Sequence, residues 1–84
     1  MELKVHYDDR IYTTYFESHR LIQPSILEIK VVLYNTTYTL LRDQIANVWS
    51  NAETNRLKLS AGLAQAVGQS VADLLNELQP GTVV

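Results

Sequence analysis

The sequence predicts an α+β fold: a three-stranded antiparallel sheet, made of a β-hairpin and one further strand, followed by two C-terminal helices packed on one face. Three observations carry this prediction. Apolar and polar residues alternate with period two over the N-terminal part of the chain. After residues 35–37 the apolar spacing lengthens to about 3.6, the period of a helix. The length of 84 residues matches a single α+β domain, 1–84.

The hairpin is read over residues 2–17. In "ELKVHY" the residues Leu3, Val5 and Tyr7 fall on one face and Glu2, Lys4 and His6 on the other, the pattern of a half-buried strand. Asp8 and Asp9 are turn formers, and "IYTTYF" is rich in β-branched and aromatic side chains that suit a pleated surface. Pro24 then marks a loop, because it lacks an amide donor and disfavours a helical Gln23. The next strand is read over 26–34, with Leu27, Ile29, Val31 and Leu33 on one face.

Residues 35–37, "NTT", read as a turn or cap. Leu41, Ile45, Val48 and Trp49 are spaced as on one face of a helix, so the first helix is placed at 39–49. The rival reading makes 38–42 a fourth strand paired back on the third. Ser50 followed by Glu53 fits a capping box, which places a long helix at 51–78, stopped by Pro80 and Gly81. The tail 81–84, "GTVV", is expected to fray.

On that long helix Ala61, Ala64, Gly68 and Ala72 form an edge of small residues, beside an arc of Leu63, Val67, Val71 and Leu75. An apolar arc covering half the circumference is wider than one sheet contact needs. Small side chains let a neighbour approach at the short end of interhelical distances. Gly68 costs about 1 kcal/mol of helix propensity relative to Ala, which a close contact offsets. That neighbour is either the 39–49 segment or a second copy of the chain.

Composition narrows the function. With no cysteine, disulfide frameworks, thiolate metal sites and cysteine nucleophiles are excluded, and the expected location is the cytoplasm. The charged, alternating N-terminus does not resemble a signal peptide, and no apolar run has the ~20 residues of a membrane span. A net charge of −2 with scattered Lys and Arg weighs against a dedicated nucleic-acid binder.

Candidate chemistry is sparse. His6, Asp8, Glu17 and His19 would resemble a metal-ligand set only if the hairpin gathered them, and Asp8 with Asp9 reads as a turn rather than an acid–base pair. The expectation is therefore no catalytic residue, no metal and no cofactor. Five of the seven aromatic residues are tyrosines, a residue type enriched at protein interfaces. Tyr12 and Phe16 share one strand face, opposite Tyr15. The sequence thus points to a small, non-enzymatic protein-interaction or regulatory module acting as a homo-oligomer on a protein partner. Its contact residues are expected at Ala61, Ala64, Gly68, Ala72, Tyr12 and Phe16. The alternative is a DNA-binding, antitoxin-like regulator that uses the C-terminal helices.

Overall fold

The structure is a computed structural model and describes residues 1–78; the expected fraying of 81–84 lies outside the described residues. Five strands precede one helix: β1 (Glu2–Tyr7), β2 (Arg10–Gln23), β3 (Ile26–Leu33), β4 (Thr36–Asp43), β5 (Val48–Asn51) and α1 (Ala61–Leu78). Each strand is antiparallel to its predecessor, and spatial order equals chain order, β1-β2-β3-β4-β5. The sheet curls into a half-barrel.

This corrects the expected fold of three strands and two helices. The segment read as a helix at 39–49 is most of β4, a loop and the start of β5, and the long helix begins at Ala61 rather than near residue 51. The physical reason lies in which side chains face inward. Tyr38, Leu40 and Trp49 are buried, with period two along β4. By contrast Ile45 is 86% exposed and Val48 is exposed. Two of the four residues that imitate a helical stripe therefore face solvent.

Turn chemistry fixes the register. Asp8 (φ 52°) and Asp9 (φ 60°) adopt the left-handed region between β1 and β2, as do Tyr34 (φ 52°) and Asn35 (φ 59°) between β3 and β4. Two consecutive left-handed residues define the type I′ turn, whose twist matches that of the flanking strands. The β4–β5 connection is closed by Asp43, whose Oδ1 accepts from the Ile45 and Ala46 amides at 2.9 and 3.2 Å. Asn47 ends it at φ 57°. A bulge between Phe16 and Ser18 interrupts the β2–β3 ladder.

The helix starts late because side-chain amides hold 51–60 in a non-helical path of turns and bends. Asn51 donates to the Leu59 carbonyl at 2.8 Å and accepts from the Leu59 amide at 2.9 Å. Asn55 does the same with the Thr39 backbone, at 2.8 and 2.9 Å. Such Asn bonds compete directly with helical ones. The true N-cap is Ser60, whose Oγ accepts from the Leu63 amide at 3.2 Å; Ser50 lies within β5.

Helix α1 packs against β5 and β1, the two edges of the curled sheet. The core joins Val5, Ile29, Val31, Leu33 and Leu40 of the sheet to Leu63, Val67 and Val71 of the helix. Gly68 is buried against Trp49, and a Cβ there would overlap the indole ring. Gly62 stands in the same relation to the Tyr7 hydroxyl.

Two expected outcomes follow for stability. Gly68→Ala should destabilise the fold by about 1–3 kcal/mol through overpacking, despite the better helix propensity of Ala, in urea unfolding followed by Trp49 fluorescence. Far-UV dichroism should show Trp49→Phe recovering part of that loss, because the two positions touch. Asn51→Ala strands both polar groups of Leu59 and should cost about 1–3 kcal/mol by the same measurement.

Candidate functional site

The inner and outer faces of the sheet differ in what they leave uncovered. Leu3, Val5, Tyr12, Thr14 and Phe16 turn toward the helix side. Glu2, Lys4, His6, Ile11, Thr13 and Tyr15 turn outward. Tyr12 and Phe16 are half-buried and packed on the core. Tyr12 meets Tyr34 edge to face at 6.1 Å, and Phe16 stacks on His19 at 5.8 Å. The expected aromatic contact pair therefore lies on the concave side.

The small-residue edge lies against the chain's own sheet. Ala64, Gly68 and Ala72 are buried and Ala61 is exposed at the start of α1. The neighbour that the small edge admits within the chain is the Trp49 ring. Its Nε1–H is buried with no hydrogen-bond partner among the described residues. The Arg42 guanidinium sits 5.9 Å from the ring centre, held there by Asn47 Oδ1 at 2.6 and 3.0 Å.

On the convex side, large apolar groups gather on β2 and the end of β3. Ile11 is 60% exposed and Tyr15 is 47% exposed. Tyr15 stands directly opposite Val32, and Thr13 lies between Ile11 and Tyr15 on the same face. Tyr34, 72% exposed in the adjoining turn, sits at the end of the sheet, where it borders this side while its ring edge meets Tyr12 of the concave side. Together with Asn35 they line a shallow depression of about 290 Å³, and the Lys4 ammonium donates to Thr13 Oγ1 at 2.8 Å.

Tyr34 is the unusual member. A bulky residue with φ near +52° occupies a region that costs about 1–2 kcal/mol for a residue with a Cβ. Asn, Asp or Gly is the usual occupant of this turn position. Backbone strain of this kind collects at functional sites. The sequence reading counted Tyr34 among the tyrosines but assigned it no role, and Ile11 and Val32 were not singled out. The available signal was Tyr34-Asn35 as a two-residue loop between two strands, which the helical reading of 39–49 hid.

The polar residues weighed for metal binding do not converge. His6 stands opposite Ile11 on the convex face, whereas His19 stands opposite buried Ile29 on the concave face. Asp8 is in the first turn and Glu17 at the bulge. Among the described residues no three His, Asp or Glu side chains are grouped for a metal ion. The Arg20 guanidinium is paired with Glu28 at 2.8 Å. No helix among the described residues is long and apolar enough to cross a membrane.

No protein-family model matches the chain, and neither the curated proteins nor the solved structures compared with it give a match.

Proposed function

We propose that this protein is a small non-enzymatic interaction module that works as a homo-oligomer and binds a protein partner through the convex patch of Ile11, Tyr15, Val32 and Tyr34. The observation that carries this reading is Tyr34, exposed in a backbone conformation that a smaller residue would occupy at lower cost. A side chain kept there against its own backbone preference has its compensation elsewhere, and a binding surface supplies it. Tyrosine suits the role, with large apolar area, few rotatable bonds and a polar tip. The neighbouring Ile11 and Tyr15 extend the patch, and Lys4 and Thr13 give it a polar rim, the layout of a protein contact.

The reading as a DNA-binding regulator finds less support. Residues 61–84 contain no Lys or Arg, so α1 offers phosphates no cation. One of its amide side chains, Gln65, is occupied by the Trp49 amide at 2.8 Å. Phosphate contacts supply most of the affinity of such proteins.

Tyr34→Asn separates a binding residue from a packing one. It should raise stability by about 1 kcal/mol in urea unfolding, by relieving the left-handed backbone, while weakening partner binding. Binding is read in cells by a photo-crosslinking phenylalanine analogue in place of Tyr15, with Ser50 as the control position. Adducts specific to position 15 that vanish with Tyr34→Asn support the patch. Equal adducts from both positions, or a variant less stable than the parent, would show that Tyr34 serves packing against Tyr12. Random duplex DNA at low salt should not bind; salt-sensitive binding would restore the regulator reading.

A further inference from the structure

We infer that the free edge of β1 is the seat of a second copy of this chain, which lays its own β1 antiparallel across it with Glu2 of each copy opposite Lys4 of the other. The inference rests on the homo-oligomer part of the reading above and names its surface. It begins with the unequal treatment of the two sheet edges. The β5 edge is sealed from within. Gln65 Oε1 accepts from the Trp49 amide at 2.8 Å, and Asn51 joins β5 to the Leu59 backbone. No comparable bond from α1 serves β1 among the described residues.

The phase of the β1 ladder shows what that edge presents. Met1 and Phe16 exchange both backbone hydrogen bonds, at 2.8 and 3.1 Å. Antiparallel pairs alternate between bonded and unbonded residues. Leu3, Val5 and Tyr7 therefore turn their backbone groups toward β2, and Glu2, Lys4 and His6 turn theirs to the open side. All three of those residues are exposed.

The charges select the occupant. With a two-fold axis at Leu3, Glu2 faces Lys4 of the partner subunit and Lys4 faces Glu2 of the partner subunit. Each pair exchanges two backbone hydrogen bonds, and opposite charges directly across a ladder are favourable. Moving the axis to Lys4 places two lysines face to face, which is unfavourable. The edge is thus self-complementary in one register, as a two-fold interface between identical chains requires. On the convex face this register aligns Tyr15, Glu2, then Lys4 and Thr13 of the partner subunit in one row. The β2 patches of both copies then share a continuous surface.

Within a chain Lys4 also bridges Glu2 at 3.3 Å, so a single charge reversal disturbs both the chain and the pair. Mixing separates these effects. Sedimentation equilibrium of the full chain should show a reversible dimer. Glu2→Lys and Lys4→Glu alone should each raise its dissociation constant about tenfold or more. An equimolar mixture of the two variants should recover dimers of mixed composition, because every cross-strand pair is again Lys against Glu. Lys4→Pro removes an amide that faces the open side and should yield monomer with unchanged far-UV dichroism. If that variant unfolds, the mixing experiment still decides.

A wild-type chain that stays monomeric at every accessible concentration overturns the inference together with the homo-oligomer reading, leaving Glu2 and Lys4 as edge protection. An oligomer unaffected by either charge reversal overturns only this surface. Mixed variants that remain monomeric, while the Glu2→Lys plus Lys4→Glu double variant dimerises, would assign the charges to the intrachain bridge and overturn it too.

Discussion

The contact between the Trp49 indole and the bare backbone of Gly68 holds the two layers of this protein in register. A half-barrel has two separated edge strands, and something must occupy the gap between them if the apolar interior is to stay dry. Here that element is one helix, which touches β5 on one side and β1 on the other. With no Cβ at Gly68, the flat ring lies directly against the helix backbone, closer than any residue with a side chain would permit at that position. Val67 and Val71, one turn apart on the helix, then join Leu40, Val31 and Val5 in the core. The buried indole N–H, without a partner among the described residues, fits the same priority: the ring is placed by shape, and its polar atom has to accept the position.

Asparagine and glutamine side chains complete what the short β5 leaves undone. A primary amide carries a donor and an acceptor in the same relative arrangement as a backbone peptide group. Asn55 on Thr39 and Gln65 on Trp49 stand where a further stretch of strand would supply hydrogen bonds, and Asn51 ties the end of β5 to the Leu59 backbone. The sheet can therefore end after a four-residue strand without leaving its inner backbone groups unsatisfied, a deficit that would cost free energy at each group. The chain thereby passes from sheet to helix through a segment of turns held by these amides.

The sequence was informative where one physical rule acted alone. In β1 and β3 each inward position is apolar, so period two survives intact and the strands are legible. In β4 and β5 two adjacent leucines, Leu40 and Leu41, blur the alternation, and exposed Ile45 and Val48 add apolar positions that bury nothing. The sum imitates a helix. The capping signature at Ser50 and Glu53 failed for a related reason: the motif is local, whereas Asn51 and Asn55 are committed to partners eight and sixteen positions away. The small edge at 61, 64, 68 and 72 did announce a close approach. No periodicity states whether the approaching group is a second helix or an aromatic ring. For the surface patch, alternation set Tyr15 opposite Tyr12 and Phe16 but could not say which face is covered, so the expected contact fell on the Tyr12 and Phe16 face, and the strain on Tyr34 appears only once the turn between β3 and β4 is known.

Strand order equal to chain order also sets the route by which this molecule assembles. Every pairing in the sheet joins segments that are neighbours in sequence, so each hairpin closes a short loop at small entropic cost. Such local topologies fold quickly. The exceptions are the contacts of α1 with β5, β4 and β1, of which the seating on β1 spans the most sequence. Closing these long-range contacts carries the larger entropic cost of assembly. The fold is thus a locally connected sheet closed by a clasp, and the helix residues Leu63, Val67 and Val71 are what stand between the sheet core and water.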